Sequence, residues 1–129
     1  MSFVQHLKVM IVDDHRTSRL LIYEALTQLG ITQVVYAVDG EQALKQMMAT
    51  PCHIVISDFN MPKLDGLQLL KALRSYGPTK KTPFFILTGK GDRALVQQAA
   101  AAGANNILAK PITVPVLRKT LEAVLGPLQ

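Results

Sequence analysis

The chain has 129 residues, 49% of them apolar and 18% charged, which suits one domain with a single substantial core and excludes a disordered segment. The formal net charge is +5, and with Cys52 as the sole cysteine an intrachain disulfide and a cysteine-based zinc site are excluded. No apolar run approaches bilayer-spanning length and Met1–Lys8 lacks the apolar core of a signal peptide, so a cytoplasmic protein without membrane insertion is expected.

Lys8-Val9-Met10-Ile11-Val12 predicts a short buried strand that ends in Asp13-Asp14. Ile22, Ala25, Leu26 and Leu29 follow at helical spacing, and Gly30 supplies the stop. Gln33–Val38 predicts a second strand. Asp39-Gly40-Glu41 then opens a helix with an expected inner stripe of Leu44, Met47 and Met48, ended by Pro51. Cys52 is expected to be a small buried or half-buried residue beside the third strand, His53–Ser57. That β-branched run stops at Asp58, and Pro62 soon after rules out further pairing. A carboxylate is thereby placed at the carboxyl end of a central strand, where open α/β sheets carry their chemistry.

Asp65-Gly66 leads into a helix carrying Leu69, Leu70 and Leu73 that stops near Gly77-Pro78. Lys80-Lys81-Thr82 precedes a fourth strand, Pro83–Leu87. Thr88-Gly89-Lys90-Gly91-Asp92 forms a loop, with Asp92 placed to cap an alanine-rich helix that runs to Ala102 and stops at Gly103. A fifth strand, Asn105–Ala109, closes at Lys110-Pro111. Thr113 stands where it can cap the last helix, in which Pro115 is tolerated in the first turn and Leu117, Leu121, Val124 and Leu125 form the expected buried stripe. Strands alternating with helices specify an α/β doubly wound parallel sheet covered on both faces by right-handed crossovers. No repeat or linker interrupts the pattern and the last helix runs almost to Gln129, so residues 1–129 are expected to form one domain without an output domain.

Every polar outlier on these strands falls at a carboxyl end: Asp13 and Asp14 after the first, Asp58 after the third, Thr88 after the fourth, Lys110 after the fifth. Singly, each has an ordinary explanation as a cap, a turn residue or a snorkelling lysine. In a doubly wound sheet these ends share one rim, and five such accidents on one rim are implausible. Clustered carboxylates repel and acquire perturbed pKa values unless a cation joins them. Hard oxygen donors suit Mg2+ better than zinc or copper, while His6, His15 and His53 lack metal-ligand spacing and read as surface or packing residues. A carboxylate beside Mg2+ is a competent nucleophile toward a phosphoryl group, giving an acyl phosphate. Thr88 can hydrogen-bond a phosphoryl oxygen, Lys110 supplies a positive point charge, and Gly89 leaves the approach open.

With Asp13, Asp14, Asp58 and Lys110 turned inward, thirteen of the fourteen basic residues and six of the nine acidic ones remain outside. They are scattered (Arg16, Arg19, Lys71, Arg74, Lys80, Lys81, Arg118, Lys119), with few aromatics among them. The pattern suits acidic protein partners and disfavours nucleic acid.

Asp13-Asp14, Asp58, Met61-Pro62-Lys63-Leu64-Asp65-Gly66, Thr88-Gly89 and Lys110-Pro111 together resemble, in order and over essentially the whole chain, the receiver domain of two-component response regulators. The resemblance implies strand order 2-1-3-4-5, the flavodoxin-like order also seen in the chemotaxis receiver. It implies Asp58 as phosphoacceptor, with Mg2+ held by Asp13, Asp14, Asp58 and the backbone carbonyl of Asn60. Thr88 would be the switch hydroxyl, and Lys110 would pair with the phosphoryl group. The implied donor is a phosphohistidine on a sensor histidine kinase or a histidine phosphotransfer protein. The implied output is an altered surface for a downstream target, as in chemotaxis, or a phosphoryl shuttle or sink between histidines. Such a protein works as a monomeric switch and catalyses only its own phosphorylation and dephosphorylation.

Asn60 and Lys90, two residues beyond the phosphoacceptor and the threonine, would flank the path of an attacking water; Lys90 otherwise reads as a plain loop lysine. The family often has an aromatic three residues before the lysine, where this chain has Ile107. Output is therefore expected to run through backbone shifts in the Thr88–Asp92 loop and the helix after it. Three rivals are disfavoured. An aspartate-nucleophile phosphatase would want an acid where Asn60 stands. A flavin carrier would want a phosphate loop where Asp13-Asp14 repels phosphate. A phosphorylation-independent pseudo-receiver would be expected to lack one of the acids, the threonine or the lysine.

Overall fold

The computed structural model describes residues 3–89 and 93–128. A 3-10 turn at Phe3–His6 precedes β1 (Lys8–Val12), α1 (Arg16–Gln28), β2 (Gln33–Ala37) and α2 (Gly40–Ala49). The chain continues through β3 (Ile54–Asp58), α3 (Gly66–Arg74), a second 3-10 turn at Gly77–Thr79 and β4 (Phe84–Thr88). It ends with α4 (Arg93–Ala102), β5 (Asn106–Ala109) and α5 (Val114–Leu125). The strands form one parallel sheet, as the alternation of elements predicts, in the order β2-β1-β3-β4-β5 that the resemblance implies. Lys90, Gly91 and Asp92, including the expected cap at Asp92, lie outside the described residues.

Central parallel strands read as unbroken apolar runs because both of their faces are covered. Val9, Ile11, Ile54, Ile56, Phe85 and Leu87 point to the side packed by Ile22 and Leu26 of α1 and by Leu117 and Leu121 of α5. Met10, Val12, Val55, Phe84 and Ile86 point to the other side, against Ala43 and Met47 of α2, Leu69, Leu70 and Leu73 of α3, and Ala99 of α4. Cys52 is buried in that second layer, where its N–H donates to Met47 Sδ at 3.3 Å and burial pushes its thiol pKa up.

Among the described residues, two helices start on carboxylate caps. Asp39 accepts the Gln42 N–H at 2.7 Å. Asp65 accepts the Gln68 N–H at 2.8 Å, while the Gln68 side chain accepts the Asp65 N–H at 2.9 Å, a complete capping box. Thr113 does occupy the position before α5, but its side chain makes no capping hydrogen bond among the described residues.

The inner stripes differ from expectation in two helices. In α2 the buried pair is Ala43 and Met47, with Leu44 half-buried and Met48 48% exposed. The seven-residue spacing from Gly40 through Ala43 to Met47 faces the sheet, and Met48 lies a further 100° round. In α5, Leu117 and Leu121 are buried as expected. Val124 is 38% exposed and Leu125 half-buried, whereas Thr120 joins the buried face by donating its hydroxyl hydrogen bond to the Val116 carbonyl at 2.7 Å. β4 begins and ends one residue later than expected, which makes Thr88 its last strand residue.

At the amino ends of the strands, backbone groups pair across the sheet. The Lys8 N–H donates to His53 Nδ1 and the His53 N–H to the Lys8 carbonyl, both at 2.9 Å. The Phe84 N–H donates to Asn105 Oδ1 and the Asn105 N–H to the Phe84 carbonyl, both at 2.8 Å. Arg74 adds hydrogen bonds to the Gly103 carbonyl at 2.9 Å and to Asn105 Oδ1 at 3.3 Å.

Candidate functional site

The carboxyl ends of β1, β3, β4 and β5 form the opposite rim. Asp13 continues the β1 ladder by donating its N–H to the Ala37 carbonyl at 3.1 Å, and it is fully buried. Asp58 is the last residue of β3, paired in register with Leu87 of β4, and is also buried. Asp14 is exposed at the mouth. Lys110 follows β5, where its N–H donates to the Thr88 carbonyl at 2.9 Å. Its half-buried ammonium reaches across the rim to Asp58 Oδ2 at 3.1 Å and Asp13 Oδ2 at 3.4 Å.

Asp13 is positioned from several directions. Its Oδ1 accepts the His15 N–H at 2.9 Å, and its carbonyl accepts Arg19 Nη1 at 2.9 Å. The Arg19 guanidinium in turn lies 4.8 Å from the centroid of the Tyr36 ring, a cation–π distance that ties α1 to the edge strand β2. Asp58 is steadied by its neighbours, since the Ser57 hydroxyl donates to the Asp58 carbonyl at 2.8 Å and the Phe59 N–H donates to the Leu87 carbonyl at 3.0 Å.

Electrostatics at the rim are unbalanced, with three carboxylates gathered there and the Lys110 ammonium against two of them, Asp13 and Asp58. Burial pushes the pKa of Asp58 above the ordinary carboxylate range. Hydrogen bonding and charge from Lys110 pull it back, and the charge of Asp13 adds to the rise. One ligand atom from each of Asp13, Asp14, His15 and Asp58 lies within 4.8 Å of all the others. Three hard carboxylates on a wet rim fit an Mg2+ ion, which keeps several waters and asks for few protein oxygens.

His15 is a surface residue, as expected, and the structure also sets it against the acids. Its Nδ1 lies 3.1 Å from Asp14 Oδ1 and 3.5 Å from Asp13 Oδ1. The position follows from the turn that ends β1 and enters α1, where His15 is the residue just before the helix. Adjacency to a paired acid was the signal available in sequence.

The remaining predicted residues sit around this core. Thr88 is half-buried at the end of β4, one residue past Leu87. Among the described residues, no atom stands within 4 Å of where a Cβ on Gly89 would sit. Asn60 lies in the exposed connection to α3. Ile107 pairs in register with Ile86 and packs half-buried on the second layer, away from the acids. Lys90 lies outside the described residues. Gly66 has a reason that the motif alone did not give. A Cβ there would stand 2.6 Å from the Asp58 carbonyl oxygen, so glycine lets α3 begin directly against the strand that carries the carboxylate.

Comparison with known proteins places these residues in context. Residues 9–122 match the family described as the response regulator receiver domain. A CheY chemotaxis protein of Rhizobium etli is 57% identical over 129 residues, covering 100% of both chains. The BeF3-activated response regulator Chey2-Mg2+ of Sinorhizobium meliloti is 58% identical with a TM-score of 0.74, again over 100% of both chains. The chemotaxis protein CheY4 of Vibrio cholerae is 35% identical with a TM-score of 0.84, covering 92% of this chain and 98% of the other.

Proposed function

The chain belongs to the response regulator receiver domain family, a family of signalling switches, and on that premise we propose that Asp58 accepts a phosphoryl group that switches the chain's partner-binding surface. The observation that carries this reading is the buried Asp58 carboxylate at the open rim of the sheet, 3.1 Å from the Lys110 ammonium and within ligand distance of Asp13 and Asp14. The relatives' names point to chemotaxis as the pathway, and the proposed compartment is the cytoplasm. Among the described residues, no helix is long and apolar enough to cross a membrane.

In the proposed reaction an Asp58 carboxylate oxygen attacks the phosphorus of a phosphohistidine on a kinase or phosphotransfer protein. An O–P bond forms, the N–P bond breaks, and the imidazole leaves with the electron pair. Burial raises the affinity of Asp58 for a proton. Lys110 opposes protonation and stands ready to pair with a phosphoryl oxygen. Asp13, Asp14, Asp58 and the Asn60 carbonyl would hold Mg2+, which when bound neutralises the charge of the transferring group. Thr88 would supply a hydroxyl hydrogen bond to the acquired phosphoryl group. Because the Thr88 carbonyl accepts the Lys110 N–H, a shift of Thr88 would pass directly to Lys110, just beyond β5. Output would thus run through the end of β4, the loop after it and α4, with Ile107 acting as packing rather than as a swinging reporter.

The test is incorporation from a small acyl phosphate with Mg2+, read by intact mass, for wild type and Asp58→Ala. A phosphoryl adduct in wild type that vanishes in the variant is expected. Incorporation that persists in Asp58→Ala, or none in wild type, overturns the assignment.

A further inference from the structure

We propose that the groove between the outer face of α1 and the edge strand β2 docks an extended acidic segment of a partner protein, which adds to the sheet beside β2. The segment carries an acidic and an apolar residue two positions apart, the acid on Arg16 and Arg19 and the apolar side chain against Leu20 and Tyr23. The surface lies on the flank of the sheet, and its occupation does not depend on phosphorylation of Asp58.

The groove combines apolar walls with unanswered positive charge. Its volume is about 360 Å3, and Leu20, Tyr23 and Tyr36 line it while remaining 49%, 45% and 58% exposed. Covering these three side chains would take a contiguous apolar surface out of water. On α2 and α5 a basic residue is answered by an acid four positions away, Lys45 by Glu41 at 3.7 Å and Arg118 by Glu122 at 3.8 Å. On α1 the positions four beyond Arg16 and Arg19 hold Leu20 and Tyr23 instead. Among the described residues neither arginine has an ion-pair partner. Arg19 is already fixed in place by the Asp13 carbonyl at 2.9 Å and by the Tyr36 ring, 4.8 Å from its centroid. It therefore meets an anion with little ordering left to do.

The sheet edge selects the conformation of the occupant. Among the described residues β2 pairs with β1 alone. The Ala37 carbonyl accepts the Asp13 N–H, so Ala37 turns its polar groups toward β1. Those groups alternate along a strand, which points the N–H and C=O of Val34 and Tyr36 out along the open edge. The side chains of the same two residues line the groove. An added strand thus finds hydrogen bonds and a recess at the same positions. The spacings agree, since four residues of helix rise about 6 Å and two residues of strand span about 6.7 Å. An acid over an arginine and an apolar group over the residue four further along therefore suit successive side chains on one face of that strand. A second copy of this chain is the wrong occupant, because a symmetric contact would bring these arginines against each other in chains of net charge +5.

Amide nitrogen–proton spectra of the full chain test the proposal, with the capped peptide Thr-Glu-Thr-Phe-Thr-Glu-Thr-Val as probe and its form with Gln in place of both Glu as control. Shifts centred on Val34, Tyr36 and the first two turns of α1 are expected. Binding should weaken at least about tenfold for the Gln control, and likewise for the chain variants Arg16→Glu and Leu20→Asp, which alter exposed side chains. Val34→Pro removes an outward-facing N–H, a change that edge strands tolerate, and should weaken binding at least as much while the β1 amides stay in place. Equal affinities for peptide and control, undiminished binding by Arg16→Glu and Leu20→Asp, or shifts centred on α4 and β5 overturn the proposal. Absence of binding at millimolar peptide overturns it too. So does a groove that closes on a second copy, seen as shifts at Val34 and Tyr36 when the protein alone is concentrated.

Discussion

At the amino rim of the sheet, backbone groups are satisfied by neutral partners: Lys8 and His53 exchange hydrogen bonds, as do Phe84 and Asn105. At the carboxyl rim the same strands deliver Asp13, Asp14 and Asp58 against Lys110, with negative charge in excess and one acid held above its ordinary pKa. The amino rim lowers the free energy of the fold. At the carboxyl rim the buried like charges carry a cost that Lys110 offsets in part and that an incoming cation would relieve. Stability and chemistry are thus placed at opposite ends of the same strands.

Removing the cation from the carboxyl rim should have the largest effect. Lys110→Ala deletes the group proposed to pair with a transferring phosphoryl, and the rate of incorporation from an acyl phosphate should fall by about a hundredfold or more. The asymmetry between the rims breaks if that rate is unchanged. At the other rim, Asn105→Ala orphans the Phe84 N–H and frees one end of the Arg74 bridge. Urea denaturation should show a loss of about 1–3 kcal/mol, with phosphoryl incorporation unaltered once the chain is folded.

Asp58→Asn sharpens the contrast because it removes charge where charge is costly. Burial raises the Asp58 pKa in the folded chain, so the folded state holds that proton more tightly than the unfolded state does. Between the ordinary carboxylate pKa and the raised one, folding takes up protons. This contribution is fully present at low pH and lost as pH rises through the raised value. Without Mg2+, Asp58→Asn should therefore be more stable than wild type at neutral pH, by about 0.5–2 kcal/mol. The difference should shrink as pH falls through the carboxylate range. A variant less stable than wild type at neutral pH would show that the Lys110 contact outweighs burial.

Much of this division was legible in the sequence. A change from apolar run to charged residue marks a strand's carboxyl end, and the doubly wound topology puts such ends on one rim, so the meeting of Asp13, Asp58 and Lys110 followed from order alone. Helix faces were less legible, since an apolar arc is wider than the strip that touches the sheet. Met48 and Val124 fell on the solvent side of that arc, while Ala43 and Thr120 took buried places. The approach of His15 to Asp13 and Asp14 was not legible, because spacing along the chain says nothing of a ring carried back by a turn. Gly66 needed the structure for another reason, as its constraint comes from the Asp58 carbonyl across the connection.

Carboxylates at the carboxyl rim are not all alike, and the smallest predicted effects separate them. Asp39 and Asp65 sit on the same side of the sheet as Asp13 and Asp58, yet each accepts a helix N–H, and such an amide cannot leave. One oxygen of each is committed to its helix, and the second oxygen of Asp39 lies 3.8 Å from the Lys63 ammonium. Asp65→Ala should therefore cost about 1 kcal/mol in thermal or chemical denaturation and leave Mg2+ affinity within about twofold of wild type. Thr113→Ala, at a cap position whose hydroxyl makes no capping bond, should cost less than about 0.5 kcal/mol. A large Mg2+ effect from Asp65→Ala would mean that the rim acts as one electrostatic body. Indifference there, with sensitivity at Asp13 and Asp14, would confine the metal chemistry to the acids that have no helix amide to hold.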